Sequence, residues 1–473
     1  MSLLSPRSTG KAAASALLLA CQRPAADDSA PPTAAPAPVA WTADAPRFSE
    51  VLSPVRGRVP LRTIIHLHSA WSHDACDGEP LVDGAPNAPC LDDLRAGLCA
   101  AAVDVAFLTN HPDHAAWQPF DAQLHPAPGD TLLRGADGGV AALRFDCGAA
   151  RPGHTVTLLP GIEDELMPVG LDRHSGGEDG AENHRLYNAA DAEAMRAAGA
   201  AGAAVFIAHT EGRSPEWLDA RFAEGATGLE VFNAHAMFDP RIRAEHLGLE
   251  PASWLLDIAP FTSPDGTAQP DLFFLAALQA QTPSLQRWDA RLAQGPAVGI
   301  AGSDAHQNVL PTLLRDGERG DSYRRALRWF SNLVWATDAS PAAAEAAVRE
   351  GRLAVVFDLL GVPAGVDFVG HDANGGTTEM GGAGPADRLE VGCPRLAVGS
   401  ARNTAEPEIT VRVLKDGAHW ADGCGVHAVD GPGVYRVEVD ILPRHLADFL
   451  GEDPTPWLRP YPWVLTNAIR VTD

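Results

Sequence analysis

Short apolar runs rich in β-branched residues alternate with alanine-rich stretches of helical character along most of this chain. The runs cover residues 61–67, 103–108, 155–162, 205–208, 229–232, 297–301 and 353–357. Unbroken apolar runs suit strands buried on both faces, and helical stretches between them predict parallel strands joined as βα units. Seven such units predict a barrel with one fewer repeat than the eight-unit form. Its last helix is bracketed by Ser340 as N-cap, Pro341 at the first helical position and Gly351 as terminator. Beyond a glycine-rich stretch at 370–384, the runs 408–414, 433–441 and 463–471 are β-branched or alternating, without helical spacing. The expected fold is therefore α/β: a distorted seven-stranded (β/α) barrel over 51–358, then a small β-sandwich over 359–473.

The polar residues that end these runs carry the chemistry. In Ile65-His66-Leu67-His68 the two imidazoles are two residues apart, so on a strand they share one face. His111 follows Leu108-Thr109-Asn110, Glu163 follows Pro160-Gly161-Ile162, and His209 follows Phe206-Ile207-Ala208. Asp304 and His306 close the series in Ala301-Gly302-Ser303-Asp304-Ala305-His306. Ligands at the C-terminal ends of barrel strands converge on one reaction centre. Mixed imidazole and carboxylate ligands favour Zn, Mn or Fe over Ca. Of the 17 histidines, 13 precede Leu310, which assigns the chemistry to the first domain. His114, His125, His154, His235 and His246 read as ordinary core or surface histidines, and Glu230 and Asn233 as groups that brace the ligands. Arg173 or Arg213 would bind an anionic substrate group, with plain surface arginine the equal alternative.

These ordered motifs resemble, over about residues 61–306, the polymerase and histidinol phosphatase (PHP) family of metal-dependent phosphoesterases. The resemblance implies a PHP-type barrel with two or three divalent ions, Zn, Mn or Fe. It also implies ester hydrolysis by a metal-bridging hydroxide, with Glu163, Asp304 and His209 central to catalysis. It implies His66, His68, Glu163 and Asp304 around one ion, with Glu163 shared by a second ion that His209 and an intervening histidine complete. His174 is preferred to His184 for that histidine because it lies nearer Glu163. Asp74, His111 and His306 would hold a third ion, with His73 the alternate for Asp74. Asn110, read with Glu230 and Asn233 as a bracing group, stands where the family often has Asp, which leaves the orientation of His111 open. Amidohydrolases also begin with His-x-His, but many bridge their metals with a carboxylated lysine, and no lysine lies between Lys11 and Lys415. A carboxylester, carbamate or amide hydrolase of similar barrel is the second expectation, and a non-catalytic, lipid-anchored metal- or ligand-binding protein the third.

A formal charge of −25 excludes a nucleic-acid partner, whose phosphates require a basic surface. The expected partner is a small anionic ester. Arg7 and Lys11 precede an apolar stretch at 12–20 and then Cys21, the order of an export signal, and the stretch is too short to span a bilayer. Leu18-Leu19-Ala20-Cys21 resembles a bacterial lipobox, which makes 1–21 a lipoprotein signal and implies cleavage before Cys21 and acylation of its thiol; Gln22 after it favours the outer membrane. A plain secretory signal is the alternative. Membrane contact is expected only through the lipid, on a disordered Ala/Pro linker at 22–50. Six further cysteines suit disulfides in an oxidising compartment, with Cys76–Cys90 and Cys393–Cys424 the expected local pairs.

Overall fold

Seven strands close into a ring in the computed structural model, which describes residues 39–42, 44–135, 138–399 and 405–473. They are β1 (Val59–Leu67), β2 (Val105–Asn110), β3 (Thr155–Ile162), β4 (Leu166–Val169), β5 (Ala204–Ile207), β6 (Gly228–Asn233) and β7 (Val298–Ala305). Parallel pairing runs from β1 to β2 to β3, from β5 to β6 to β7, and from β7 back to β1. The short β4 is antiparallel to both of its neighbours. Every residue of β2 and β6 is buried, the burial that unbroken apolar runs predict. Ile65, Phe107, Leu159, Met167, Phe206 and Ile300 belong to one apolar cluster that ties β1, β2, β3, β4, β5 and β7 together.

The ring differs from the expected one in its seventh strand. The run near 353–357 forms β9 (Leu353–Val356) outside the ring, antiparallel to β8 (Ser331–Ala336), which itself runs antiparallel to the first half of β1. The ring is instead completed by β4, whose four residues follow β3 across the acidic turn Glu163-Asp164-Glu165. Between β8 and β9 the helix Pro341–Arg349 starts as expected, with the Ser340 side chain accepting from the Ala343 amide at 3.3 Å.

No break in the sheet marks the expected boundary at Asp358. β9 pairs with β12 (Tyr461–Thr466), β12 with β11 (Gly433–Leu442), and β11 with β10 (Glu408–Lys415) and β13 (Ile469–Thr472). A separate four-stranded antiparallel sheet contains Thr377–Glu379, Phe368–His371, Arg388–Val391 and Gly425–Ala428. The expected single run 463–471 splits into β12 and β13 because Asn467 turns inward. Its Oδ1 accepts from the Gly299 amide at 2.8 Å and its Nδ2 donates to the Gly299 carbonyl at 2.9 Å, which ties the C-terminal strands to β7.

Of the expected linker at 22–50, residues 22–38 lie outside the described residues, and the described end, 39–42 and 44–50, is ordered against the fold. Val39–Ala40 pairs in parallel with Val398–Gly399, the Trp41 indole donates to the Leu359 carbonyl at 2.9 Å, and Phe48 is buried beneath the Arg62 guanidinium. These two aromatic side chains supply apolar burial that a disordered tether lacks. Cys21 and the expected signal lie outside the described residues.

Both expected disulfides form, and Cys99 pairs with Cys147 across 48 residues. Closing a loop of that length limits the unfolded chain, so Cys99→Ser/Cys147→Ser should lower stability by about 4 kcal/mol. Chemical denaturation reads this directly, and an unchanged unfolding free energy would contradict it.

Candidate metal centre

The ends of three ring strands turn in the same unusual way. His66, His209 and Asp304 have φ of 63°, 49° and 50°, the left-handed region. Non-glycine residues enter it at roughly 1 to 2 kcal/mol each, so the surrounding structure must hold them there. Pairing slips at the same places, between Ile64 and Leu67 against β2 and between Gly302 and Ala305 against β1. Such irregularities re-aim a side chain that regular pleating would direct elsewhere.

Those turns gather nitrogen and oxygen atoms at spacings of a particular size. His66 Nε2 lies 3.2 Å from Asp304 Oδ1, and His68 Nε2 lies 3.3 Å from the same oxygen. His209 Nε2 is 3.3 Å from Glu163 Oε1, while His111 Nδ1 is 2.9 Å from Glu163 Oε2. His306 Nε2 is 3.4 Å from both His111 Nε2 and Asp74 Oδ1. Three groups bring ligand atoms within 4.8 Å of one another: His68, His111 and His306; His66, His68 and Glu163; and His66, His209 and Asp304.

Buried His66 Nε2, His68 Nε2, Glu163 Oε2 and Asp304 Oδ2 make no directed hydrogen bond to a described residue. Buried polar atoms are normally satisfied, so this concentration of orphans calls for another partner. Metal–ligand bonds of about 2.0 to 2.1 Å place neighbouring ligand atoms roughly 2.8 to 3.4 Å apart across octahedral and tetrahedral geometries. Most of the spacings above fall in that range. The donor set fits a divalent ion of the Zn, Mn or Fe type.

Charges in the cluster respond strongly to one another. Burial drives the His66 imidazole down, but Asp304, Glu230 and Glu163 together outweigh it and hold His66 well above its ordinary value. Against the same burial, His209 rises to about 10 and His111 to about 9, each helped most by Glu163. Burial would raise Glu163 and Asp304, yet the facing His66 and its neighbours hold both well below the carboxylate range. His68 is pushed well down by burial and by His306, whose ring stacks on it at 3.6 Å. A cation entering this cluster would displace shared protons.

Bracing comes from β6 and from the turn after β1. Glu230 Oε1 meets His66 Nδ1 at 2.6 Å, while its Oε2 accepts from the His209 amide and from Asn233 Nδ2, each at 2.8 Å. One carboxylate thus orients two of the histidines. Asn233 also caps the helix Ala234–Phe238, accepting from the His235 amide at 2.8 Å. Asn110 Oδ1 accepts from the Ser69 amide at 2.7 Å, and the His111 amide donates to Ser72 Oγ at 3.0 Å. Ser72 Oγ lies 2.7 Å from His68 Nδ1, so Asn110 steadies the turn that orients His68.

Several expected site residues lie elsewhere. His174 is away from the cluster: its Nδ1 faces the Tyr187 hydroxyl at 3.1 Å and its Nε2 the Gln118 carbonyl at 2.8 Å, which leaves no free nitrogen for a metal. His184 sits 4.0 Å from Asp113 and is partly exposed. His73 points to Asp113 at 3.1 Å, whereas Asp74 faces His306 and His111. Arg173 bonds the Ala200 carbonyl, and Arg213 is paired to Glu165 at 2.5 Å, so neither guanidinium stands free at the cluster. The histidine that reading by strand ends passed over is His235, whose Nδ1 lies 3.3 Å from Asp304 Oδ2. It occurs two residues after Asn233, on the first turn of a helix rather than on the strand. Applying the strand-end rule one turn further along would have found it.

No family model matches the chain, and no curated protein matches it. Among solved structures, a two-domain protein from Bacteroides vulgatus containing a predicted PHP-like metal-dependent phosphoesterase is similar at 13% identity. The alignment has a TM-score of 0.34 and covers 88% of this chain and 97% of that one.

Proposed function

We propose that the chain is a metal-dependent phosphoesterase with two or three divalent ions, Zn, Mn or Fe, at the end of its barrel. The carrying observation is the set of donor separations near 3.3 Å among His66, His68, His209, Glu163 and Asp304. In this reading His66, His68, Glu163 and Asp304 hold one ion, and His209 and His235 complete a second that shares those carboxylates. Asp74, His111 and His306 hold a third. When bound, such ions polarise an ester oxygen and lower the pKa of bound water to about 7. Glu163 and Asp304 would supply the anionic ligands of these ions, and Glu230 holds the His66 ring and the His209 backbone amide through its two oxygens.

A second reading, hydrolysis of a carboxylic or carbamic ester, is favoured by one observation. Among the described residues no arginine or lysine lines the cavity beside the cluster, so no guanidinium or ammonium would clamp an anionic substrate there. The same proposal places the protein outside the cytoplasm on a lipid at Cys21, a placement supported by the lipobox resemblance and the three disulfides. Loading purified protein with Mn or Zn and assaying phosphomonoesters, phosphodiesters and carboxylic esters tests the activity. Metal-dependent turnover of a phosphoester is expected; turnover of carboxylic esters alone favours the second reading, and none with any metal would refute both.

A further inference from the structure

A cavity of about 260 Å³ opens directly beside the cluster and shares His235, Asp304 and His306 with it. Its remaining walls are mainly apolar. Phe238, Trp254, Phe273 and Trp329 form a continuous aromatic surface, with ring centroids 5.1 Å apart for Phe238–Trp254, 5.5 Å for Phe238–Trp329 and 5.4 Å for Phe273–Trp329. The helix Ala234–Phe238 links the two halves of the cavity, because His235 and Phe238 are one turn apart and line it together. Of the lining carboxylates, Asp321 is already satisfied by the Val309 and Leu310 amides and by Arg319. Val309 lines the cavity while 61% exposed, and Leu255 and Leu256, next to Trp254 in the chain, are 50% and 82% exposed. A mainly apolar recess with a few polar groups on its walls is the usual form of a small-molecule site.

We infer that the substrate of this site carries an apolar aryl or medium alkyl group, seated against the Phe238–Trp254–Phe273–Trp329 wall with its ester at Asp304 and His306. The inference rests on the hydrolase reading and adds the substrate class to it. A cavity of about 150 Å³ holds benzene, so this one accommodates a group of roughly phenylpropyl or naphthyl size. Because no arginine or lysine among the described residues lines it, a second anionic group seated against the aromatic wall would be left unpaired.

The test compares 3-phenylpropyl phosphate with propyl phosphate, and 3-phenylpropyl acetate with propyl acetate, using the metal-loaded full chain. Within each pair the leaving alcohols are matched, so any difference in kcat/KM reports the phenyl group. A preference of roughly tenfold or more is expected, the scale on which a hydrophobic pocket discriminates one apolar group. Ala326→Phe, which fills the cavity from the helix Tyr323–Trp329, should reduce the phenylpropyl ester to the level of the propyl ester. Val309→Asp, at an exposed position, should do the same in part and covers the case in which Ala326→Phe fails to fold. Saturation-transfer NMR with 3-phenylpropan-1-ol, recorded without metal, should show contact in the wild type and lose it in the variants. Equal turnover within both pairs and no transfer to the alcohol would overturn the apolar subsite and leave the hydrolase reading standing. Transfer to the alcohol without turnover of any ester would instead strike the hydrolase reading alone.

Discussion

Glu163→Gln should reduce turnover roughly 100- to 1000-fold and lower the bound metal by at least one ion per chain, with the far-UV circular dichroism unchanged. The side chain stands between His209 at 3.3 Å and His111 at 2.9 Å, with His66 Nε2 at 3.9 Å, and it is buried. Glutamine keeps the volume and removes the charge. Three imidazoles then lose a carboxylate they face, and a cation between them would keep Asp304 but lose one of its two anionic ligands. Activity titrations against metal, together with elemental analysis of dialysed protein, read both effects. Full metal content and activity within a factor of ten of the wild type would remove Glu163 from the centre.

Gly302→Ala should produce a comparable loss of metal through a residue that binds nothing. A Cβ at this position would stand 1.8 Å from Glu230 Oε1 and 3.0 Å from His66 Nδ1. Glu230 cannot swing aside, since its other oxygen accepts from the His209 amide and from Asn233, and it is 1% exposed. Accommodation therefore displaces His66, His209 or the end of β7. A tenfold to hundredfold weaker metal affinity is expected, the usual cost of disturbing the groups that orient metal ligands. Overpacking a buried site also costs about 1 to 3 kcal/mol of stability. Titration with a fluorescent zinc competitor measures the affinity; wild-type affinity would show that the backbone here has room to relax.

Much of the cluster was legible in the sequence for a physical reason. A ligand at the C-terminal end of a buried strand must follow an apolar run, and His66, Glu163, His209 and Asp304 all do. His235 escaped because it lies on the first turn of a helix after β6, where the apolar run had already ended in Asn233. His174 attracted attention through its nearness to Glu163 in sequence. The chain between them, however, reverses through β4, which pairs antiparallel with β5 and leads away from the His209 end. That same four-residue strand was invisible as a ring member because acidic residues set it apart after β3, and the equally short β9 took its place in the count. At the expected domain boundary the sheet continues through a pairing that local sequence does not show. Local composition changes near Asp358, but hydrogen bonding from β9 to β12 crosses that point, and no local pattern records a pairing between residues more than a hundred apart.

Anomalous diffraction from crystals grown with Mn or Zn addresses the metal centre most directly. The account predicts at least two anomalous peaks, one within bonding distance of His66, His68 and Asp304 and another contacting His209 and Glu163, with His235 beside them and no peak near His174. Peaks confined to exposed carboxylates, with the space between His66 and Glu163 empty in metal-saturated crystals, would contradict it.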